Sequence, residues 1–598
     1  MRAPLFGLLI TVSLWVTATI SEAATRPTLC PDALYTILGD PIGGAGVTSS
    51  TAEIGTRAGF GDMCPPTDQT KRRASASGTK VSAKWDACSG LTGTVKFAGK
   101  IVDDCSRLTG TLKAKGYKRT VEAVRVDCGD GILDAVPPAT PYTGTMESLA
   151  THALPRWFDD AKFGIMIHWG IFTIPAWAET VVDPKDWLCG TKLVEPPDYG
   201  SYFFKHIPYV EWYPNTILIS GSPAQEHHKA TYGANFAYDN FRPQFEAQAA
   251  AWSGDTWADL FRDSGARYVV LVTKHHDGFA LWPTAVPHPT RTGWHMARDI
   301  VGELSTAVRQ RCMRMGLYYS GGFDWSVQPG PVKNVLDYLT VAPQTPAYIS
   351  YADGQWRELI RRYSPAIMWN DLGYPTNADE LALFADYYNT VPDGVINDRF
   401  TAVGAGTHHD YTTPEFCVAE GISATKFETV RGMGRGFGYN QNESDADLDS
   451  AEELIHLLID VVSRNGNLLL NVGPLADGTI PTAQATRLQA IGTWLGVNGA
   501  AIFHTQPWTI ATGVTSDGTP VRFTTSMDGA TLYAIVMGAL PAGELTLVGV
   551  NVKPKSARLL VPGPASKKVK ATVSGSDLRL KLPKGPAEQV AHVFALTL

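Results

Sequence analysis

The chain has 598 residues, 44% hydrophobic and 18% charged, which is enough apolar material for several packed cores and excludes disorder as its main state. Its 51 Lys and Arg against 58 Asp and Glu give a formal charge of −7, so the chain as a whole has no excess of cations with which to cover a nucleic-acid backbone.

Residues 1–23 read as a secretory signal peptide: Arg2 gives the positive start, Leu5 to Ile20 the apolar stretch, and Ser21-Glu22-Ala23 a small-x-small cleavage site. Thr11, Ser13, Thr17 and Thr19 interrupt that stretch, whereas a spanning helix needs about 20 predominantly apolar residues. The expectation is a secreted, extracellular protein with no membrane partner. In an exported chain, eight cysteines favour disulfides over metal sites. Cys30, Cys64, Cys88, Cys105 and Cys128 crowd the first 130 residues, and Cys189, Cys312 and Cys417 are scattered beyond. Five is odd, so either one of them reaches Cys189 or Cys417 or one stays free. Cys312, in a basic stretch before the apolar run Met313 to Tyr319, reads as a buried thiol.

The cysteine-rich region repeats itself: Cys88-Ser-Gly-Leu-Thr-Gly-Thr-Val-Lys96 is followed by Cys105-Ser-Arg-Leu-Thr-Gly-Thr-Leu-Lys113. Alternating Thr, Val and Leu with Gly punctuation predicts strands, so residues 24–135 form a small disulfide-rich β module. From Ala24 to Asp130 it has 15 basic and 11 acidic residues, a charge of +4 and opposite in sign to the whole. That surface is either an ordinary solvated face or one suited to acidic polysaccharide. A proline-rich linker, residues 136–150, closes the module.

From 151 to 504 short apolar runs alternate with segments of helical period. The runs are Phe163 to Ile167, Tyr268 to Thr273, Gly316 to Tyr319, Ala366 to Trp369, Gly394 to Ile396, Leu468 to Val472 and Ala501 to Phe503. Helices are predicted over Thr256 to Asp263, Asp299 to Val308, Gln355 to Tyr363 and Ser450 to Ser463, the last opened by a Ser450/Glu453 capping box. This alternation predicts an α/β parallel sheet, best a (β/α)8-like barrel, with a doubly wound open sheet as rival. Beyond residue 505, alternation in Val521/Phe523, Leu545/Leu547 and Leu578/Leu580/Leu582 predicts a C-terminal antiparallel β-sandwich to residue 598.

In a barrel the chemistry sits where strands end. Here those ends are His168-Trp169, Lys274-His275-His276-Asp277, Tyr318-Tyr319-Ser320, Asn370-Asp371 and Asn397-Asp398-Arg399, which together describe a polar pocket with aromatic walls. Phosphate loops, dinucleotide fingerprints and a G-x-S-x-G elbow are absent from the sequence. His275, His276 and Asp277 offer metal-ligand types, but neighbours on an extended strand point opposite ways, so no metal site and no cofactor is expected. Paired carboxylates remain: Asp371 and a Glu further on, the arrangement that hydrolyses glycosidic bonds.

The motifs KFGIMIHWG, PAWAE, YVEWY, TKHHDGF, GLYYSGG, MWNDLGYP, INDR, TTPEF, RGMGRGFGYNQNE and NLLLNVGPLADGTIP, running from about Trp157 to Trp508, resemble the retaining α-L-fucosidases, in their bacterial-type branch. The resemblance implies a (β/α)8-like domain, a C-terminal β-sandwich, no cofactor, and release of terminal α-L-fucose from glycans with retained configuration. It implies Asp371 as nucleophile and Glu415 as acid/base, with Glu428 and Glu211 as competing carboxylates for the second role. It places His168, Glu211, Trp212, His275, His276, Tyr318, Arg399 and Phe437 against the sugar. The chain departs from the family in its long Thr180 to Val210 insertion, in Phe427-Glu428 where a Trp-Glu pair is usual, and in the N-terminal module, which the resemblance leaves out. The one glycosylation sequon, at Asn442, lies near Phe437 and is expected to be unoccupied. Two other readings remain: a fucose-binding, lectin-like protein on an inactive barrel, and a metal-dependent hydrolase using His275 and His276.

Overall fold

The computed structural model describes residues 33–37, 42–44, 47–49, 51–54, 58–60, 63–67, 69–75, 78–102, 107–125, 140–189, 199–401, 407–562, 566–584 and 588–598. The signal-peptide reading at 1–23 and Cys30, Cys105 and Cys128 fall outside them.

The first block is a nine-stranded antiparallel sheet running from Ala33–Ile37 to Tyr117–Arg125. Its strands alternate as a one-sided sheet must. In Val95–Val102, for example, Val95, Phe97 and Ile101 are buried while Lys96 is exposed. The inward residues form a core of their own, in which Phe60 meets Trp85 and Phe97 with ring centroids 5.8 and 5.1 Å apart. A Cys64–Cys88 disulfide staples it.

The second sheet is wholly parallel. In spatial order it runs Val395–Ile396, Ile367–Asp371, Arg314–Ser320, Tyr268–Lys274, Phe163–Ile167, Gly466–Val472, Phe427–Gly432. Helices cover its outer face, among them Gly254–Asp263, Ile300–Gln310, Pro346–Tyr363 and Ala451–Ser463, the last with the Ser450/Glu453 capping box in place. The irregular segment between the edge strands joins both: Tyr411 bridges Asn397, while Thr412 and Glu415 bridge Phe427 and Val430. The curled sheet thus closes, and the segment that closes it carries Glu415.

Three sequence expectations need correction. Ala501 to Phe503 is not a strand: Gly499–Ala501 is a 3-10 turn after the helix Thr482–Asn498, and Ala501 and Ile502 are buried there, an apolar triplet that periodicity alone cannot assign. Cys189 and Cys417 pair with each other, so neither serves the N-terminal set. Cys312 is disulfide-bonded rather than a buried thiol, because it sits half-buried at φ 58° on the turn between helix Ile300–Gln310 and strand Arg314–Ser320.

The C-terminal block is an eight-stranded antiparallel sheet from Thr505–Val514 to His592–Thr597, folded over its own core, with Thr515 bridging Leu547 between its outermost strands. It rests on the barrel through the helix Thr482–Asn498, where Trp494 Nε1 donates to the Ala591 carbonyl at 3.0 Å. Among the described residues no helix is long and apolar enough to cross a membrane.

Candidate active site

A parallel barrel delivers the carboxyl ends of all its strands to one rim. At that rim lies a cavity of about 270 Å³, at the small end for ligand pockets and of a size for one sugar ring. All ten residues nominated from the sequence line it: Asp371, Glu415, His168, Glu211, Trp212, His275, His276, Tyr318, Arg399 and Phe437. Trp369, Tyr209 and Tyr338 line it as well.

Asp371 ends the strand Ile367–Asp371. Its Oδ2 accepts from Tyr318 Oη at 2.7 Å and its Oδ1 from Arg399 Nη1 at 3.0 Å. Glu415, on the closing segment, accepts from Tyr209 Oη at 2.9 Å and, through Oε2, from the same Arg399 Nη1 at 3.0 Å. The two carboxylate oxygens on that nitrogen are therefore at most twice 3.0 Å apart. Arg399 is itself pinned, donating from Nε to Thr413 Oγ1 at 2.8 Å and from Nη2 to the Thr413 carbonyl at 3.0 Å. Burial opposes its charge, but Asp371 and Glu415 outweigh burial and hold the guanidinium above its ordinary value. Burial, reinforced by the neighbouring carboxylates, keeps the Tyr209 and Tyr318 hydroxyls protonated as donors.

The competing carboxylates differ in position. Glu428 is buried beneath the pocket and does not line it; it accepts from Tyr268 Oη at 2.6 Å and Trp369 Nε1 at 2.9 Å, and burial pushes its carboxyl up to about 7. It thus supports Trp369, whose ring stacks on Tyr318 at 5.3 Å and lies 4.8 Å from the Arg399 guanidinium. Glu211 does line the pocket, on the 3-10 turn Val210–Trp212, and accepts from the Gly438 amide at 2.9 Å. Burial pushes it too up to about 7.

His168 and His276 are neutral acceptors. Asn471 Nδ2 donates to the Phe437 carbonyl at 2.6 Å, which turns its Oδ1 to His168 Nδ1 at 2.7 Å. Nδ1 therefore holds the proton, and Nε2 is left with a lone pair for a sugar hydroxyl. Burial pushes the His168 imidazole down to about 4. The same logic fixes His276: Ser320 Oγ donates to the Phe323 carbonyl at 2.7 Å and so accepts from His276 Nδ1 at 2.6 Å. His275 and His276 lie past the strand end, so strand alternation no longer separates them; their ring centroids are 3.8 Å apart and both face the pocket. Asp277 turns away, accepting from Tyr238 Oη at 2.9 Å and the Phe279 amide at 3.0 Å. Among the described residues, three candidate metal ligands converge only at His152, His408 and Asp410, outside the pocket, where Tyr388 Oη bonds both His408 and Asp410.

Sequence reasoning passed over Tyr209 and Asn471 as site residues. Tyr209 opens the YVEWY motif and Asn471 lies inside a buried apolar strand, so polarity within an apolar run was the available signal for the second.

A parallel barrel whose rim holds two carboxylates over a cavity for one sugar defines a glycoside hydrolase. The sequence model of the family Alpha-L-fucosidase matches residues 133–500. Tissue alpha-L-fucosidase of Bos taurus is 32% identical over 499 residues, covering 80% of this chain and 94% of that protein. The human tissue enzyme is 31% identical over 485 residues, with 78% and 93% covered. The crystal structure of Thermotoga maritima alpha-fucosidase with a mechanism based inhibitor superposes with a TM-score of 0.68 at 38% identity, covering 76% of this chain and 100% of that one. The chain belongs to the α-L-fucosidase family of glycoside hydrolases. The match begins at residue 133, so the N-terminal β module lies outside it.

Proposed function

We propose that the protein is a secreted, exo-acting α-L-fucosidase of the bacterial-type branch that removes terminal α-L-fucosyl residues from glycans by retaining double displacement. The observation that carries this reading is the single Arg399 Nη1 shared by Asp371 and Glu415, which holds two carboxyl groups within reach of both sides of one glycosidic bond. Retaining enzymes hold their carboxyl groups about 5 to 5.5 Å apart and inverting ones about 6.5 to 9.5 Å; one oxygen of each carboxylate on a shared nitrogen supports the shorter spacing. The 38% identity to the Thermotoga maritima protein supports likeness to that bacterial fucosidase.

In the first step Asp371 attacks the anomeric carbon and Glu415 gives its proton to the departing oxygen, so the glycosidic bond breaks as the fucosyl–Asp371 ester forms. Tyr318 and Arg399 aim the Asp371 carboxylate; Tyr209 and Arg399 aim Glu415. In the second step Glu415 takes a proton from water, which attacks the same carbon and frees Asp371. His168 and His276 present acceptors to ring hydroxyls, while Trp212 and Phe437 enclose apolar edges such as the C6 methyl. The small cavity, of a size for one sugar ring, suits a chain end. Following hydrolysis by proton NMR tests this: α-L-fucose appears first if the mechanism retains, and β-L-fucose as first product contradicts it.

A further inference from the structure

The N-terminal module has no part in the pocket, yet it carries a regular array of charge. In the strands Gly78–Trp85, Val95–Val102, Arg107–Ala114 and Tyr117–Arg125 there are nine Lys and Arg and a single acid, Glu122. Register places these cations in rows. Lys84 lies opposite Lys96, Lys96 opposite Lys113, and Lys113 opposite Lys118, four lysines across four adjacent strands. Lys80 lies opposite Lys100 in a second row of the same face. Lys80, Lys96, Lys113 and Lys118 are exposed, while Thr79, Val81, Phe97 and Leu112 face the core on the other side. Lys84 pairs with Asp86 at 3.2 Å at the end of the row.

The packing of the core does not call for such a row. The core lies on the opposite face, and like charges directly opposite one another on a sheet destabilise it. Neighbouring strands are about 4.8 Å apart, so the row offers one cation about every 5 Å across the outer face of the curled sheet. Lys96 and Lys113 are the last residues of the two Cys-Ser-x-Leu-Thr-Gly-Thr-x-Lys repeats, which thus lay the same cation on adjacent strands.

We propose that this sheet face binds a sulfated polysaccharide and holds the fucosidase on fucose-bearing chains of that kind. A flexible polyanion with one ionised ester per sugar matches this spacing of point charges. The row is made of lysines, whose compact ammonium groups act as point charges, and a sulfate ester supplies on each sugar an anion that stays ionised at every working pH. Tethering raises the effective concentration of chain ends at the catalytic site without adding any contact there. The inference does not depend on which carboxylate does which step, because the rate on a small neutral fucoside serves as its control.

The test uses the full chain and the variant Lys96→Ser/Lys113→Ser/Lys118→Ser. Binding to dextran sulfate is compared with carboxymethyl dextran of matched charge, neutral dextran and duplex DNA. The expected result is selective binding of dextran sulfate by the parent, weakened roughly tenfold at low salt in the variant through loss of three screened ion contacts. On a sulfated fucose-containing polysaccharide the variant's KM rises several-fold, while hydrolysis of an aryl fucoside is unchanged. Equal binding by parent and variant, or equal binding of DNA or carboxymethyl dextran by the parent, overturns the proposal. Should the variant fold poorly, lysine acetylation of the parent decides: dextran sulfate protects Lys96, Lys113 and Lys118, and unchanged acetylation overturns the assignment.

Discussion

The Cys189–Cys417 disulfide ties the insertion that follows PAWAE to the segment that closes the barrel, only two residues beyond Glu415. Replacing both cysteines by serine opens a loop spanning 228 residues. For a loop of that length the chain-entropy relation gives about 18 cal/mol/K, or about 5 kcal/mol at 25 °C, as an upper figure. A catalytic domain of this size loses roughly 2 °C per kcal/mol, so the melting temperature falls by about 10 °C. Activity at 25 °C behaves differently. Glu415 is still held by Tyr209 and Arg399, and the segment still pairs with Phe427–Gly432, where Thr429 Oγ1 donates to the Cys417 carbonyl at 2.9 Å. The turnover of an aryl fucoside in the folded variant therefore stays within about tenfold of the parent, since the hydrogen bonds that place the acid are untouched. Thermal melting and initial rates measured on the same preparations check both halves. A melting temperature within 2 °C of the parent would refute the loop-entropy reasoning, and abolished turnover in a well-folded variant would refute the claim that hydrogen bonds position Glu415.

Tyr209→Phe removes one charge-assisted hydrogen bond to Glu415, worth about 1.5 to 3 kcal/mol, and should lower kcat/KM by about 10- to 100-fold with little change in stability, because the ring keeps its packing on Phe437. A rate within twofold of the parent would remove Tyr209 from the site. Glu428 is raised by burial from 4.5 to about 7, so between those values the folded protein holds a proton that the unfolded chain does not, and stability falls as pH rises through that window. Glu428→Gln keeps the shape without the ionisation, so from pH 4.5 to 8 the parent should lose up to about 3 kcal/mol more than the variant in urea unfolding. Parallel pH curves would contradict this. Incubation with EDTA should leave the fucosidase rate unchanged, because His168 and His276 are committed to Asn471 and Ser320 while Asp277 faces Tyr238; loss of rate restored by added metal would contradict that.

What the sequence disclosed follows the physics of each element. Strands such as Phe163–Ile167 and Gly466–Val472, buried on both faces, read as apolar runs, and a capped amphipathic helix such as Ala451–Ser463 announces both its start and its buried stripe. The strand Phe427–Gly432 escaped because Glu428 and Arg431 interrupt its apolar run, although every residue in it is buried. The closing segment 410–416 escaped because it bridges its neighbours one residue at a time and has no period. For the same reason the choice between Glu415, Glu428 and Glu211 was not legible: which carboxyl meets Asp371 depends on the course of that segment and on Arg399, not on local pattern. Asp371 was legible as a strand-end carboxylate, as were His168 and Tyr318. The paired cysteines lie 228 residues apart, a separation over which spacing carries no information about partners.

The central claim is that Asp371 carries the sugar in a covalent intermediate while Glu415 serves the other side of the bond. Incubating the protein with 2-deoxy-2-fluoro-fucosyl fluoride, digesting it and sequencing the labelled peptide by mass spectrometry measures this directly. The account predicts a single fluorofucosyl ester on Asp371, absent from an Asp371→Gly variant. A label on Glu415, Glu211 or any other residue, or turnover by Asp371→Gly without added azide, would contradict it.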